Sequence, residues 1–150
     1  MQFFSLANFF FSLAAMAVVG RASPTPEPAS AAIWTDAEFD HWLATTDAKI
    51  TYYGNTSSNA LAPRDALITT VIYCSSRISN VCGGACTVYQ GGAICLPAPD
   101  TVCLGATQNI GFCDRAGCVG DCTQLTDCIL WLDGGFCYTP ATRSILVSPS

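Results

Sequence analysis

Apolar positions along the chain fall into three regimes. The first is an almost unbroken apolar run at residues 9–19, FFFSLAAMAVV. It has the length of the core of a secretory leader and is too short to cross a bilayer of ~30 Å as a helix. Val18, Gly20 and Ala22 supply the small residues that precede a leader cut, so 1–22 is expected to be a signal peptide. The second regime is helical. Phe39, Trp42 and Leu43 fall at i, i+3 and i+4, one apolar face of a short helix over 36–44. Thr35 and Glu38 stand at capping-box spacing in front of it, and Asp36, Glu38 and Asp40 complement the positive end of its dipole. A helix this short does not persist alone in water, so it must dock on the rest of the chain. A strand is expected at 50–53.

The third regime begins after residue 66 and is β-like. LITTVIY at 67–73 is rich in β-branched residues. Residues 87–89 and 93–96 flank Gln90-Gly91-Gly92, which reads as a hairpin. Residues 129–132 and 136–138 flank Asp133-Gly134-Gly135, which reads as a second. Residues 142–147 are expected to add a closing strand, and Cys118 and Cys122, at i and i+4, a turn of helix within 118–128. A weak internal echo links Cys82–Cys95 with Cys118–Cys137 through shared Cys and Gly spacing.

Between these regimes the chain is punctuated. SPTPEP at 23–28 ends any helix continuing from the leader. GNTSSNALAP at 54–63 reads as a polar loop, and Asn55-Thr56-Ser57 within it is an acceptor for N-glycosylation. Arg64 follows Pro63 without a second basic residue; an exposed loop arginine is the simpler reading, and a processing cut there the alternative. The expected organisation is a signal peptide at 1–22, then linker, short helix and polar loop at 23–64 (a candidate pro-segment), and a cysteine-rich domain at 65–150.

Composition sharpens this. Only 11% of residues are charged and the net charge is −5, the wrong sign for a phosphate-binding surface or a cationic membrane-lytic peptide. Neither nucleic acid nor, once the leader is removed, a membrane is an expected partner. All ten cysteines lie in one window: Cys74, Cys82, Cys86, Cys95, Cys103, Cys113, Cys118, Cys122, Cys128 and Cys137. An even count behind a leader is the arithmetic of an oxidised framework. The Cys82–Cys86 and Cys118–Cys122 spacings would also suit zinc, but no histidine lies in the window. Five disulfides, no metal and no cofactor are therefore expected, with the connectivity open. The fold class is a small disulfide-rich, mainly β single domain built of hairpins, with a short N-terminal helix.

Candidate chemistry is sparse. His41 is the only histidine and falls on the helix, where a solvated role outweighs a catalytic one. Asp100, Asp114, Asp121, Asp127 and Asp133 could in principle pair for hydrolysis, but turn roles explain them better, and no catalytic residue is assigned. Tyr73, Tyr89, Phe112, Trp131, Phe136 and Tyr138 are many large side chains for so small a unit. Most belong in its core; Trp131 and Tyr138, if they face outward from the last hairpin, form a candidate platform for sugar rings or a protein hot spot.

Phe112-Cys-Asp-Arg-Ala-Gly-Cys-Val-Gly-Asp-Cys122, Leu132-Asp-Gly-Gly-Phe-Cys-Tyr-Thr-Pro140 and Ser144-Ile-Leu-Val147 resemble the small secreted cysteine-rich proteins of mushroom-forming basidiomycete fungi. Trp42-Leu-Ala-Thr-Thr-Asp-Ala48 and Cys82-Gly-Gly-Ala-Cys-Thr-Val-Tyr89 fit the same group. Trp131 departs from it, standing where a polar or basic residue is expected. The resemblance implies fungal origin and secretion, and carries over no catalytic residue. The expected function is that of a secreted, monomeric, effector-like protein that binds an extracellular protein or glycan without catalysis. A carbohydrate-binding module and a protease inhibitor are the alternatives.

Overall fold

The computed structural model describes residues 33–54 and 68–149. The leader at 1–22, the linker, Asn55 and Arg64 lie outside the described residues.

Thr35 caps the helix α1 (Asp36–Thr45) as its sequence predicts. The Thr35 hydroxyl accepts from the Glu38 amide at 3.3 Å, and Glu38 Oε2 accepts from the Thr35 amide at 2.7 Å. Phe39 is the buried residue of α1. Seven strands follow: β1 (Lys49–Tyr52), β2 (Thr69–Ile78), β3 (Val81–Gly91), β4 (Ile94–Ala106), β5 (Gly111–Cys113), β6 (Cys122–Gln124) and β7 (Cys137–Val147). They form one sheet in the order β1-β3-β2-β4-β7-β5-β6. Mainly β, single-domain and disulfide-rich is thus the architecture of the chain.

Strand order departs from the hairpins expected. The chain does turn after Gly91, but β3 and β4 do not pair. β2 is antiparallel to both and lies between them, so β3 and β4 run in the same sense on its two sides. The tight hairpin is β2–β3, closed at Ile78↔Val81 through Ser79, whose φ is 54°. Around Asp133 the reversal exists with little strand: Trp131↔Cys137 is an isolated bridge, and 133–135 form a 3₁₀ turn. No helix connects Cys118 to Cys128. That stretch holds β6 and a 3₁₀ turn at Leu125–Asp127, because Cys118 has φ 57° and cannot sit in a right-handed helix. The expected closing strand is β7, flanked by β4 and β5 inside the sheet. The two echoing Cys/Gly segments form different structures, so the echo is not a structural repeat.

β4 and β7 bend together. Each carries Pro-Xaa-Thr at the bend, Pro99-Asp100-Thr101 and Pro140-Ala141-Thr142, with the middle residue left-handed at φ 59° and 66°. Thr101 and Thr142 are register partners. Each buried hydroxyl donates to the carbonyl three residues back, Ala98 and Thr139, at 2.9 Å. Such bulges bend a strand and interrupt its ladder only locally, here on either side of Thr101.

Alternation then sorts the core into two clusters. Val71, Tyr73, Leu104, Ala106, Cys137 and Ile145 belong to one. Ile72, Cys74, Val88 and Cys103 belong to the other, together with Trp34, Phe39, Leu132 and Phe136. Residues adjacent in β2 and β4 fall in different clusters, as a pleated strand requires. Helix α1 covers the second cluster. Residues 33–54 therefore share a core with 68–149, and β1 extends the same sheet in parallel with β3.

All ten cysteines pair: Cys74–Cys86, Cys82–Cys103, Cys95–Cys118, Cys113–Cys122 and Cys128–Cys137. These bridges span 9 to 23 residues, and none reaches α1 or β1.

Candidate functional site

Two open concavities carry aromatic side chains. The first lies between α1 and the 3₁₀ turn at Asp133–Gly135, with a volume of about 640 Å³. Trp34, Ala37, Glu38, His41, Trp42, Thr45, Gly134 and Gly135 line it. The chain enters α1 through Trp34, whose amide donates to the Ala106 carbonyl at 2.8 Å. Its indole Nε1 donates to the Gly135 carbonyl at 3.0 Å. The indole lies on Gly105, where a Cβ would come within 3.1 Å of the ring, so a glycine there is what admits it. Trp34 is 4% exposed. Trp42 is half-buried and packs against Trp34 and Phe136, with centroids 6.0 and 5.3 Å away. A ring held on two sides offers its remaining surface with little further loss of entropy on binding. Glu38 and His41 are both exposed and stand on α1 at the rim. Glu38 Oε2 is taken by the Thr35 amide and hydroxyl, and these bonds hold the carboxyl below its usual pKa.

The second concavity, about 440 Å³, lies between β1, β3 and β2 and the bend of β4. Thr51, Thr87 and Tyr73 are a cross-strand row on three adjacent strands, and all three line it. Tyr53, Pro97, Pro99 and Asp100 also line it. Burial raises the Tyr73 pKa, partly countered by its hydrogen bond with Thr87.

No protein-family model matches this chain, and no curated protein or solved structure is similar to it. Its sites must be read from its own residues.

The residues singled out from sequence are dispersed. Trp131 packs against the first core cluster and Tyr138 against the second, because Trp131 bridges Cys137 and the next residue in a strand points the other way. They do not form a shared platform. Tyr138 instead lies under Arg77, whose guanidinium carbon is 4.1 Å from the ring centroid. Asp114 and Asp121 close the β5–β6 loop, the Asp121 amide donating to Asp114 Oδ1 at 3.0 Å. The Asp133 amide donates to the Asn80 carbonyl at 2.8 Å. Among the described residues no three His, Cys, Asp or Glu side chains group as metal ligands, and no helix is long and apolar enough to cross a membrane.

Trp34 and Tyr53 were not anticipated. Trp34 had a readable signal, since an apolar residue before the cap packing with one at the fourth helical position, here Phe39, is a hydrophobic staple. Tyr53 had none beyond membership of an expected strand.

Proposed function

We propose that this chain is a secreted, non-enzymatic binding protein of the small cysteine-rich fungal type, with a carbohydrate as ligand in the α1 concavity. The observation carrying this reading is Trp42, wedged against Trp34 and Phe136 beside a rim that holds a carboxylate and an imidazole. Indole faces stack on the C–H surface of sugar rings, while carboxylate and imidazole groups accept and donate to their hydroxyls. Packing of Trp42 on Trp34 and Phe136 supplies the preorganisation that such shallow sites need.

The test is retention on insoluble chitin and cellulose and binding on a glycan array, using the full secreted protein. The expected result is binding that Trp42→Ala and His41→Ala each reduce about tenfold or more, and that Trp131→Ala leaves intact. Absence of any glycan ligand, or retention by the Trp42→Ala and His41→Ala proteins, would overturn the reading. Circular dichroism of Trp42→Ala separates loss of site from loss of fold.

A protease-inhibitor reading rests on a different feature. Ile129 is 98% exposed beside the Cys128–Cys137 bridge, an apolar tip on a tethered loop. Inhibition of a secreted protease abolished by Ile129→Gly would favour it over the glycan reading.

A further inference from the structure

We propose that the concavity at the β4 bend is a second, separate ligand site, and that its ligand is an extended proline-rich peptide segment carrying a basic residue. The lining chemistry decides the class. Among the described residues its polar side chains are hydroxyls, from Thr51, Ser75, Thr87, Thr101, Tyr53 and Tyr73, and one carboxylate, Asp100. No amide, imidazole or cationic side chain of the described residues lines it. Rotatable hydroxyls serve as donors to carbonyl groups. A polyproline II segment offers just that, since its backbone makes no internal hydrogen bonds and proline has no N–H to satisfy. A sugar presents donors and acceptors together and is better met by the carboxylate–imidazole rim at α1.

Shape supports the same class. Half-buried Tyr53 and exposed Pro97 and Pro99 line the cleft with rings beside its floor of Thr51, Thr87 and Tyr73, while Tyr52, in register with Val88, turns its side chain to the other face of the sheet. Aromatic-lined grooves hold proline rings in this way. The floor crosses from β1 to β2, two strand spacings or ~10 Å. One polyproline II turn of three residues advances ~9 Å, so about one turn spans the floor.

Charge sets the remaining specificity. Asp100 is exposed and, among the described residues, is the one charged side chain lining the cleft. It is fixed on the left-handed residue of the β4 bend at φ 59°. With a net charge of −5 on the chain, the site disfavours an acidic ligand and pairs with a Lys or Arg flanking the prolines.

The experiment titrates the full secreted protein with a blocked peptide of six prolines followed by lysine, read by amide chemical shifts and calorimetry. Controls are the same peptide ending in glutamate, a glycine-for-proline version and chitotetraose. The expected result is binding of the Pro₆-Lys peptide in preference to all three controls, weakened about tenfold by Tyr53→Ala. Asp100→Asn, which suits the left-handed backbone, removes the preference for lysine over glutamate. Trp42→Ala leaves the peptide affinity unchanged, which separates this site from the one at α1. No binding up to about 1 mM, equal binding of the glycine peptide, or indifference to Tyr53→Ala would each overturn the proposal. Chitotetraose binding that Tyr53→Ala abolishes would assign the cleft to sugars instead.

Discussion

Thr139 and Thr142 stand three residues apart at the bend of β7, both buried, and their hydroxyls have opposite fates. Thr142 Oγ1 donates to the Thr139 carbonyl at 2.9 Å, while Thr139 Oγ1 has no partner. Removing the first strips a buried carbonyl of its donor; removing the second relieves a buried hydroxyl of a desolvation cost it does not recover. Thr142→Val is therefore expected to lower stability by about 1–3 kcal/mol, and Thr139→Val to leave it unchanged or raise it. Denaturant midpoints of the two variants with disulfides intact check this; equal losses would show that the bend tolerates neither change. Thr35 is a second residue with a definite task. Thr35→Ala removes the hydroxyl half of the capping box, leaving the backbone amide of residue 35 to donate to Glu38, and is expected to destabilise by about 1 kcal/mol.

At the scale of the element, α1 differs from every strand that follows β1, because no covalent bridge ties it down. Its hold on the sheet is Phe39, Trp42, the Trp34 indole and the Thr35–Glu38 cap. Amide exchange should find α1 opening with a lower free energy than β2 and β4, in the manner of local unfolding units. The cap adds a pH signature. Hydrogen bonds from Thr35 depress the Glu38 pKa in the folded chain, so as pH falls the unfolded chain takes up the proton first. The contribution is complete above the ordinary carboxylate range and is lost as pH drops through the lowered native value. Exchange in α1 should thus accelerate on acidification relative to β2, and Glu38→Gln should flatten that dependence. Equal protection of α1 and β4 at all pH values would contradict both expectations.

For the whole molecule, the five bridges all lie between Cys74 and Cys137 and close short loops of 9 to 23 residues. Each contributes roughly 2–4 kcal/mol by restricting the unfolded chain, against a total of ~5–15 kcal/mol for a typical domain. Reduction is therefore expected to unfold the protein, with loss of near-ultraviolet circular dichroism; a native spectrum in excess reductant would refute this. Intact mass of the protein expressed from its full sequence, before and after reduction, counts the bridges. It also reports leader removal, any glycan at Asn55 and any cut after Arg64. Such a cut would leave 33–54 attached through packing and the β1–β3 ladder alone.

What could be read directly was local. The capping box, the Phe39–Trp42–Leu43 face, the β-branched run before Cys74 and the cysteine window each depend on residues a few positions apart. Sequence periodicity and side-chain chemistry determine those. The insertion of β2 between β3 and β4, the cysteine pairing and the meeting of Trp34 with Gly105 and Gly135 depend on partners far along the chain. Backbone hydrogen bonds in a ladder are the same whatever the side chains, so strand order is settled by which faces bury together and where Pro99 and Pro140 let the strands bend. The sequence by itself determined a helix, a β-rich half and an oxidised framework. Tertiary packing decided that Trp131 and Tyr138 part company, that Trp42, legible only as part of the helix's apolar face, lines a cleft beside Trp34, and that Tyr53 lines the other.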